Sequence, residues 1–152
     1  MPESHPILKR LSEILSIHGD RVGKVRRIAA AIRETGGYRW VGIYDVSADE
    51  IGVVAWSGPQ APAFPRFPSS QGLCGASVQA KTTIAVGDVT KDTRYLATLG
   101  TTRSEIVVPV LDPRSGEVVG LLDVESEVPD AFGAEDRRSI EECAAALTPL
   151  WV

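Results

Sequence analysis

Three acidic residues in the second half of the chain have a spacing that could bring their carboxylates together. Glu105 lies in one β-rich run, and Asp123 and Glu125 lie two residues apart in the next. The segment Asp112 to Gly116 between these runs is rich in turn-forming residues, so the runs are predicted to pair as an antiparallel hairpin. Because alternate residues of a strand point to one face, Asp123 and Glu125 share a face of that hairpin.

The register of the predicted hairpin decides which carboxylates meet. If Leu111 pairs with Glu117 across the turn, Glu105 lies directly opposite Asp123, and Glu125 is a diagonal neighbour on the same face. Like charges directly opposite each other destabilise a strand pair. Three acids on this face therefore need a bound cation or amine, a shared proton with a raised pKa, or simple exposure to solvent.

Apolar residues bear on the choice between these alternatives. Val107, Val119 and Leu121 alternate with the acids along the two runs and are predicted to share their face. A strand face that meets water is usually polar, so these side chains indicate that part of the surface is covered. We therefore favour ligand binding over solvent exposure for the three carboxylates.

Two aromatic residues in an earlier run offer an apolar wall. Trp40 and Tyr44 lie four residues apart in a predicted strand, so both point to one face, and Gly42 between them leaves space for a close approach. Packing in the core is the ordinary fate of such side chains. A wall of this kind beside acids would instead suit a small cation or a zwitterion such as an amino acid.

Cys74 is a candidate nucleophile. It lies between Gly72 and Gly75 at the predicted start of a short helix, where the helix dipole lowers the pKa of a thiol and favours the thiolate. The alternative is a small residue packed between glycines. Cys143 falls on the apolar stripe of the last predicted helix and is assigned to the core. The sequence has no residues at metal-ligand spacing and no nucleotide-binding glycine motif, so neither a metal nor a cofactor is predicted.

The elements that must position these residues follow from the hydrophobic pattern. Apolar residues at helical spacing predict two amphipathic helices first, the second with Asp20 as its N-cap and Gly36-Gly37 at its end. The predicted order after them is a hairpin at 38–46 and 51–56, a loop at 57–71, a helix at 72–80, a strand at 82–86, the acid-bearing hairpin and a C-terminal helix within 133–150. This order predicts an α+β fold in which terminal helices cover an antiparallel sheet.

The predicted loop at 57–71 is unusually rich in proline. A proline stands at every third position from Pro59 to Pro68, which favours an extended segment with few hydrogen bonds. The segment is either a surface crossover or a lid that lays Phe64 and Phe67 over a pocket.

Length and composition limit the classes of function. A chain of 152 residues with 43% hydrophobic and 24% charged residues is typical of one globular domain. No uncharged stretch approaches the roughly 20 apolar residues of a membrane span, and no secretion signal is evident. Two cysteines fit a reducing compartment, which predicts a cytoplasmic protein. The net charge of −4 provides no basic field for phosphates, so neither nucleic acid nor membrane is predicted as a partner.

Read in order, short segments of the chain resemble a known family. They are Trp-Val-Gly-Ile-Tyr at 40–44, Gly-Leu-Cys-Gly at 72–75, Asp-Val at 88–89, Ser-Glu-Ile-Val-Val-Pro at 104–109 and Gly-Leu-Leu-Asp-Val-Glu-Ser at 120–126. This pattern is similar to that of GAF domains, and among them to the free methionine-(R)-sulfoxide reductases. The resemblance implies a six-stranded antiparallel sheet with N- and C-terminal helices packed on one face and a loop-covered ligand pocket on the other. Residues 1–152 would then form one GAF domain, with helices at 1–36, the sheet and its pocket loops at 38–125 and a helix at 133–150.

The resemblance also implies a ligand site. The pocket of these reductases holds free methionine sulfoxide, with an aromatic residue near the sulfur and carboxylates around the amino group. The matching positions in this sequence are Trp40, Tyr44, Glu105, Asp123 and Glu125. The predicted hairpin points to the same three acids independently of the family.

The redox centre departs from the family pattern. The reductases carry three cysteines, whereas the resemblance places Thr98 at the expected catalytic position and Phe64 at another, and only Cys74 remains. Reduction of a sulfoxide requires one thiol that takes the oxygen as a sulfenic acid and a second that resolves it as a disulfide. A threonine hydroxyl does not form the sulfenic intermediate.

Two functions follow as alternatives. The first is a binding or signalling domain for a small amino-acid-like molecule, without a complete redox cycle. The second is a free methionine-(R)-sulfoxide reductase in which Cys74 reacts and an external thiol such as thioredoxin or glutathione restores it. Pairing of two copies through the terminal helices, as a homodimer, is compatible with either function.

Overall fold

The computed structural model of the chain describes residues 5–97 and 99–151 and confirms the predicted α+β class. Over these residues the main elements are four α-helices and six strands. They are α1 (His5–Ser16), α2 (Arg21–Gly36), β1 (Trp40–Val46), β2 (Glu50–Ser57), β3 (Arg66–Pro68), α3 (Gly72–Ala80), β4 (Ile84–Val86), β5 (Ser104–Leu111), β6 (Val118–Ser126) and α4 (Ala134–Ala146). Short 3-10 helices cover Val89–Lys91 and Thr148–Trp151.

The six strands form one antiparallel sheet in the order β3-β2-β1-β6-β5-β4. Both predicted hairpins, β1 with β2 and β5 with β6, are present. Strands β1 and β6 also pair with each other at the centre of the sheet. The two hairpins are therefore joined side by side, which brings the aromatic residues of β1 next to the acids of β6.

The proline-rich segment 57–71 contains a strand that the sequence analysis missed. Residues Arg66–Pro68 form β3 and pair with β2 at the edge of the sheet, where Pro68 lies opposite Glu50. Proline lacks a backbone donor, and an edge strand tolerates it because one side of the strand needs no partner. The prediction of a loop throughout this segment is thus wrong for these three residues.

The register of the β5–β6 hairpin differs from the predicted one by two residues. Glu105 lies opposite Glu125, not opposite Asp123, whose partner is Val107. The turn closes with Leu111 opposite Val118 in place of Glu117, which accounts for one residue of the register difference. A bulge between Val110 and Leu111 accounts for the second.

The two one-residue changes have compensating effects on the acids. A shift of one residue would turn every side chain of a strand to the other face, but a shift of two restores the original face. Glu105, Asp123 and Glu125 therefore still share a face, as predicted. Val119 does not share it, because the bulge turns Val119 toward the helices and Val118 toward the acids.

One face of the sheet, here called the helix face, is covered by α2 and α4, and α1 packs against these two helices. Helix α2 begins after Asp20, whose carboxylate accepts a hydrogen bond from the Gly23 amide, and ends at Gly37 in a left-handed conformation, as predicted. The apolar side chains of all three helices and the inward residues of the central strands form one buried cluster. The strand residues in this core are Val41, Ile43, Ala55, Ile106, Val108, Val110, Leu122 and Val124.

The opposite face, here called the site face, is covered by α3 and by the segments around β3 and before β5. Its buried apolar residues are Trp40, Tyr44, Ile51, Phe67, Leu73, Cys74, Val89, Leu99, Val107 and Leu121. All three acids of the β5–β6 hairpin point into this second cluster. Among the described residues, no helix combines the length and the hydropathy needed to cross a membrane.

Candidate functional site

The three acids of the hairpin form a buried carboxylate cluster. Glu105, Asp123 and Glu125 are 5%, 2% and 1% exposed, respectively. They alternate with apolar residues on β5 and β6, so their placement follows from the pleat of two central strands. The expectation that this face is covered and not open to solvent is confirmed. Burial of three carboxylates is costly unless each is paired or protonated.

Cys74 joins the carboxylate cluster from above the sheet. Its thiol donates a long hydrogen bond to Asp123 Oδ2, at 3.9 Å. The Cys74 sulfur and carboxylate oxygens of Glu105 and Asp123 all lie within 4.8 Å of one another. Gly75 makes this close packing possible, because a side chain there would come within 2.6 Å of the Ser70 backbone and push α3 away.

Few groups among the described residues satisfy these carboxylates. Thr102, which lies just before β5, donates a hydrogen bond of 2.5 Å to Glu125 Oε1. Asp123 Oδ1 and Glu125 Oε2 are buried without a hydrogen-bond partner. None of the ion pairs formed by the described residues includes a member of the carboxylate cluster. The cluster thus concentrates negative charge that the described part of the chain leaves without a cation.

The pKa values of all three acids rise in this environment. Burial raises the pKa of Glu105 well above its ordinary value, and the charges of Asp123 and Glu125 raise it further. Burial and the charge of Asp123 likewise raise the pKa of Glu125, against the hydrogen bond from Thr102. Burial raises the pKa of Asp123 as well, although hydrogen bonds from its neighbours oppose the change. Burial thus disfavours the charged form of each acid, which a nearby cation would favour.

The thiol of Cys74 is also in its neutral form. Burial, followed by the charges of Asp123, Glu105 and Glu125, raises its pKa well above the ordinary value. The sequence analysis predicted the opposite from the helix dipole. Desolvation and three nearby carboxylates outweigh the partial charge of a nine-residue helix, so that prediction is wrong.

The two aromatic residues of β1 share one face, as their spacing predicts, and the pairing of β1 with β6 places them beside the acids. Trp40 and Tyr44 are both almost completely buried. The predicted gap over Gly42 is absent, because the Trp40 indole itself lies there, where a side chain on Gly42 would come within 2.3 Å of the ring. The space that glycine leaves is used for packing an aromatic ring.

The proline-rich segment and the segment before β5 both cover the site face, and they are linked to each other over Trp40. Gln60, in the proline-rich segment, accepts a hydrogen bond of 3.0 Å from the Trp40 indole nitrogen through its carbonyl oxygen. Its side-chain amide donates a bond of 2.9 Å to the Leu99 carbonyl oxygen. Phe67 packs edge-on against Tyr44 at 6.0 Å between ring centroids. The segment thus covers the site through Phe67, while Phe64 is 43% exposed.

Sequence analysis missed Thr102 and Gln60. Neither belongs to a motif, and each reaches the site from a segment without regular structure. Of the positions compared with family cysteines, Phe64 is on the surface, and Thr98 lies outside the described residues. Both cysteines of the chain, Cys74 and Cys143, are buried and unbonded to each other.

Comparison with known proteins adds an independent line of evidence. A family model for the GAF domain matches residues 20–148. GAF domain-containing protein A of Dictyostelium discoideum is 28% identical over 142 residues, which cover 93% of this chain and 87% of that protein. The free methionine-R-sulfoxide reductase of Saccharomyces cerevisiae is 31% identical over 111 residues, which cover 71% of this chain and 60% of the yeast protein.

A solved structure agrees with these sequence relatives. The X-ray structure of the free methionine-R-sulfoxide reductase from Neisseria meningitidis, in complex with its substrate, superposes with a TM-score of 0.86. The two sequences are 31% identical, and the match covers 97% of this chain and 87% of that one. The structural match thus extends over nearly the whole chain.

Proposed function

The chain belongs to the GAF domain family, and we propose that its carboxylate cluster binds the ammonium group of a free amino-acid-like molecule. The observation that carries the proposal is the burial of Glu105, Asp123 and Glu125 on one face without a basic partner among the described residues. An ammonium group has one positive charge and three donors. It would meet the unpartnered oxygens of Asp123 and Glu125 and lower the repulsion among the three acids.

The remainder of the ligand would lie against the aromatic residues. Trp40 and Tyr44 project from the strand next to the acids and provide an apolar wall. A thioether or sulfoxide group makes favourable contacts with aromatic rings, which fits a side chain like that of methionine sulfoxide. The similarity to free methionine-R-sulfoxide reductases favours this choice of ligand.

We further propose that this domain binds its ligand without a complete redox cycle. Cys74 is buried and neutral, and Cys143 lies in the core of the helix face. A second thiol that could resolve a sulfenic acid on Cys74 is therefore absent from the site face of the described residues. The domain would then sense or sequester an amino-acid-like ligand.

The test of binding is ligand-induced stabilisation. We expect free methionine-(R)-sulfoxide to raise the Tm, whereas its analogue that lacks only the amino group does not. A ligand at about 100 times its Kd adds about 2.7 kcal/mol to the free energy of unfolding. Glu105→Gln should abolish the shift, and the exposed Glu34→Gln on α2 should retain it. Equal shifts with both compounds, or an unchanged shift in Glu105→Gln, would refute an ammonium site.

A reductase is the second candidate, and the observation that favours it is the position of Cys74 beside Asp123. In that reaction the Cys74 thiol and the sulfoxide would yield the thioether and a sulfenic acid, with the oxygen passing to Cys74. One external thiol would then form a mixed disulfide and release water. A second would release Cys74 and leave as the external disulfide. Asp123 would accept the thiol proton before the attack.

Turnover separates the two candidates. If the protein only binds, no methionine forms from free methionine-(R)-sulfoxide with dithiothreitol beyond the protein-free control. If methionine forms, the reductase candidate holds, provided that Cys74→Ser loses the activity and Cys143→Ser keeps it. Cys143 is the matched control because it is buried on the opposite face of the sheet.

A further inference from the structure

A thiol and two carboxylates converge inside the site from three different elements. Cys74 comes from α3, Glu105 from β5 and Asp123 from β6, and all three side chains are buried. One ligand atom of each lies within 4.8 Å of the others. Tetrahedral coordination at zinc distances places ligand atoms roughly 3.3–3.8 Å apart. A contraction of about 1 Å, within reach of side-chain rotation, would bring this set around one ion.

Unpartnered oxygens are an independent indication of a missing cation. Asp123 Oδ1 and Glu125 Oε2 lie buried without a hydrogen-bond partner in the same cluster. Native proteins rarely leave such atoms unsatisfied, and each one calls for a ligand, an ion or a water. The second oxygen of Glu125 is held by Thr102, which is the arrangement expected when an outer partner orients a ligating carboxylate.

We propose that Cys74, Glu105 and Asp123 form a binding site for a thiophilic divalent transition-metal ion such as Zn²⁺, and that Glu125, which lies outside this group of three, turns in as the fourth ligand. A thiolate ligand selects ions of this kind over Mg²⁺ and Ca²⁺, which prefer oxygen alone. The charge of the ion would offset part of the negative charge of the cluster. On binding, Cys74 loses its proton to the buffer, and so does any carboxyl group that is still protonated.

The metal-site proposal does not depend on the proposed amino-acid ligand, although the ion and the ligand would use the same carboxylates. The two occupants would therefore compete, and a bound ion would lower the apparent affinity for an ammonium compound. Linear spacing does not predict this site, since the ligands stand 18 or more residues apart except within β6. A search for closely spaced histidines and cysteines misses a site that only the sheet and α3 assemble.

Cobalt provides a direct test, because a thiolate bound to Co²⁺ gives a charge-transfer absorption in the near ultraviolet. Full-length protein treated with a chelator and then dialysed is titrated with Co²⁺ without any amino acid. We expect the absorption to saturate at one ion per chain and to disappear when Zn²⁺ displaces Co²⁺. Cys74→Ala should lose the absorption, and Cys143→Ala should retain it. Asp123→Asn should weaken binding more than about 10-fold, since even outer-shell changes cost that much.

Each alternative result overturns the metal site. Absence of the absorption in the wild type, its persistence in Cys74→Ala or its loss only in Cys143→Ala would each refute the assignment. If Cys74→Ala fails to fold, as judged by circular dichroism, Cys74→Ser replaces it, because the hydroxyl fills similar space without providing a thiolate. Co²⁺ binding without any response to amino acids would refute the proposed function alone. The reverse result would refute the metal site alone.

Discussion

Two aspartates on the central strands of one sheet have opposite electrostatic environments. Asp45, on the helix-facing side of β1, receives the Arg21 guanidinium at 2.7 Å and the Trp151 indole nitrogen at 2.7 Å. Asp123, on the site face of β6, has two other acids as neighbours and no basic partner among the described residues. The helix face thus satisfies its acid from within the chain, and the site face does not.

The pKa values follow this contrast. Burial would raise the pKa of Asp45, but hydrogen bonds from Arg21 and Trp151 outweigh it, and the pKa lies below its ordinary value. On the site face burial outweighs the hydrogen bonds that Asp123 receives, and the pKa values of Glu105 and Asp123 are raised. The difference shows where the chain gives up stability. Because the carboxylate cluster lowers the stability of the free protein, a cation that binds there would raise the stability more than one bound elsewhere.

The largest expected effect separates packing from electrostatics on β6. Leu122 faces the helices and is completely buried, while its neighbour Asp123 faces the site. We expect Leu122→Ala to lower the free energy of unfolding by about 2–5 kcal/mol, through lost burial and the cavity left behind. Urea unfolding measures it. The loss should be the same with and without ligand, and a loss under about 1 kcal/mol would mean that the helix face is not the main core.

The second effect has the opposite sign. Asp123→Asn replaces one of three buried carboxyl groups, and its amide can donate a hydrogen bond to a neighbouring carboxylate. We expect the free energy of unfolding of the ligand-free protein to rise by about 1–3 kcal/mol near neutral pH. Urea unfolding checks the change, and the exposed Asp49→Asn is the matched control. A destabilised Asp123→Asn would show that the carboxylate cluster is satisfied in the free protein, and the contrast with Asp45 would fail.

The sequence predicted the order of the elements and the face that the acids share. It did not predict which residues pair across the β5–β6 hairpin. Hydrophobic period and turn residues specify a hairpin, and the face of each side chain depends only on whether the register shift is even or odd. The actual shift is two, so the acids stayed together although Glu105 pairs with Glu125. The bulge that moves Val119 to the other face has no signature in the local sequence.

Other errors came from contacts between distant parts of the chain. The pKa of Cys74 depends on acids more than 30 residues away, and burial reverses the effect expected from its own helix. The sequence left both a ligand and a core side chain open for the space over Gly42, and the side-chain rotamer of Trp40 fills it. Thr102 and Gln60 act from irregular segments. Such features depend on tertiary packing, which a pattern along one strand or helix does not contain.

The third prediction tests the contrast through pH. Because the pKa of Glu105 is higher in the folded than in the unfolded state, its contribution to stability is fully present below the unfolded value of about 4.3. The contribution is lost as the pH rises through the raised pKa. Glu105→Gln should therefore become increasingly stable relative to the wild type as the pH rises from about 5 to about 8. Urea unfolding across this range measures the difference, and one that is constant with pH would contradict a raised pKa.

The smallest effect concerns the helix face. Asp45→Asn removes the charge that pairs with Arg21, but both side chains are partly exposed, 50% for Asp45 and 38% for Arg21, so solvent screens the pair. We expect a loss of about 0.5–1 kcal/mol in the free energy of unfolding, which shrinks further at high salt. Urea unfolding at low and high salt measures it, with Asp49→Asn again as the control. The sign matters more than the size, because the same Asp→Asn change should stabilise the protein at position 123 and destabilise it at position 45. A gain in stability in Asp45→Asn would show that Arg21 and Trp151 do not offset the burial of Asp45. The acids of both faces would then lack compensation from within the chain, and the contrast between the faces would fail.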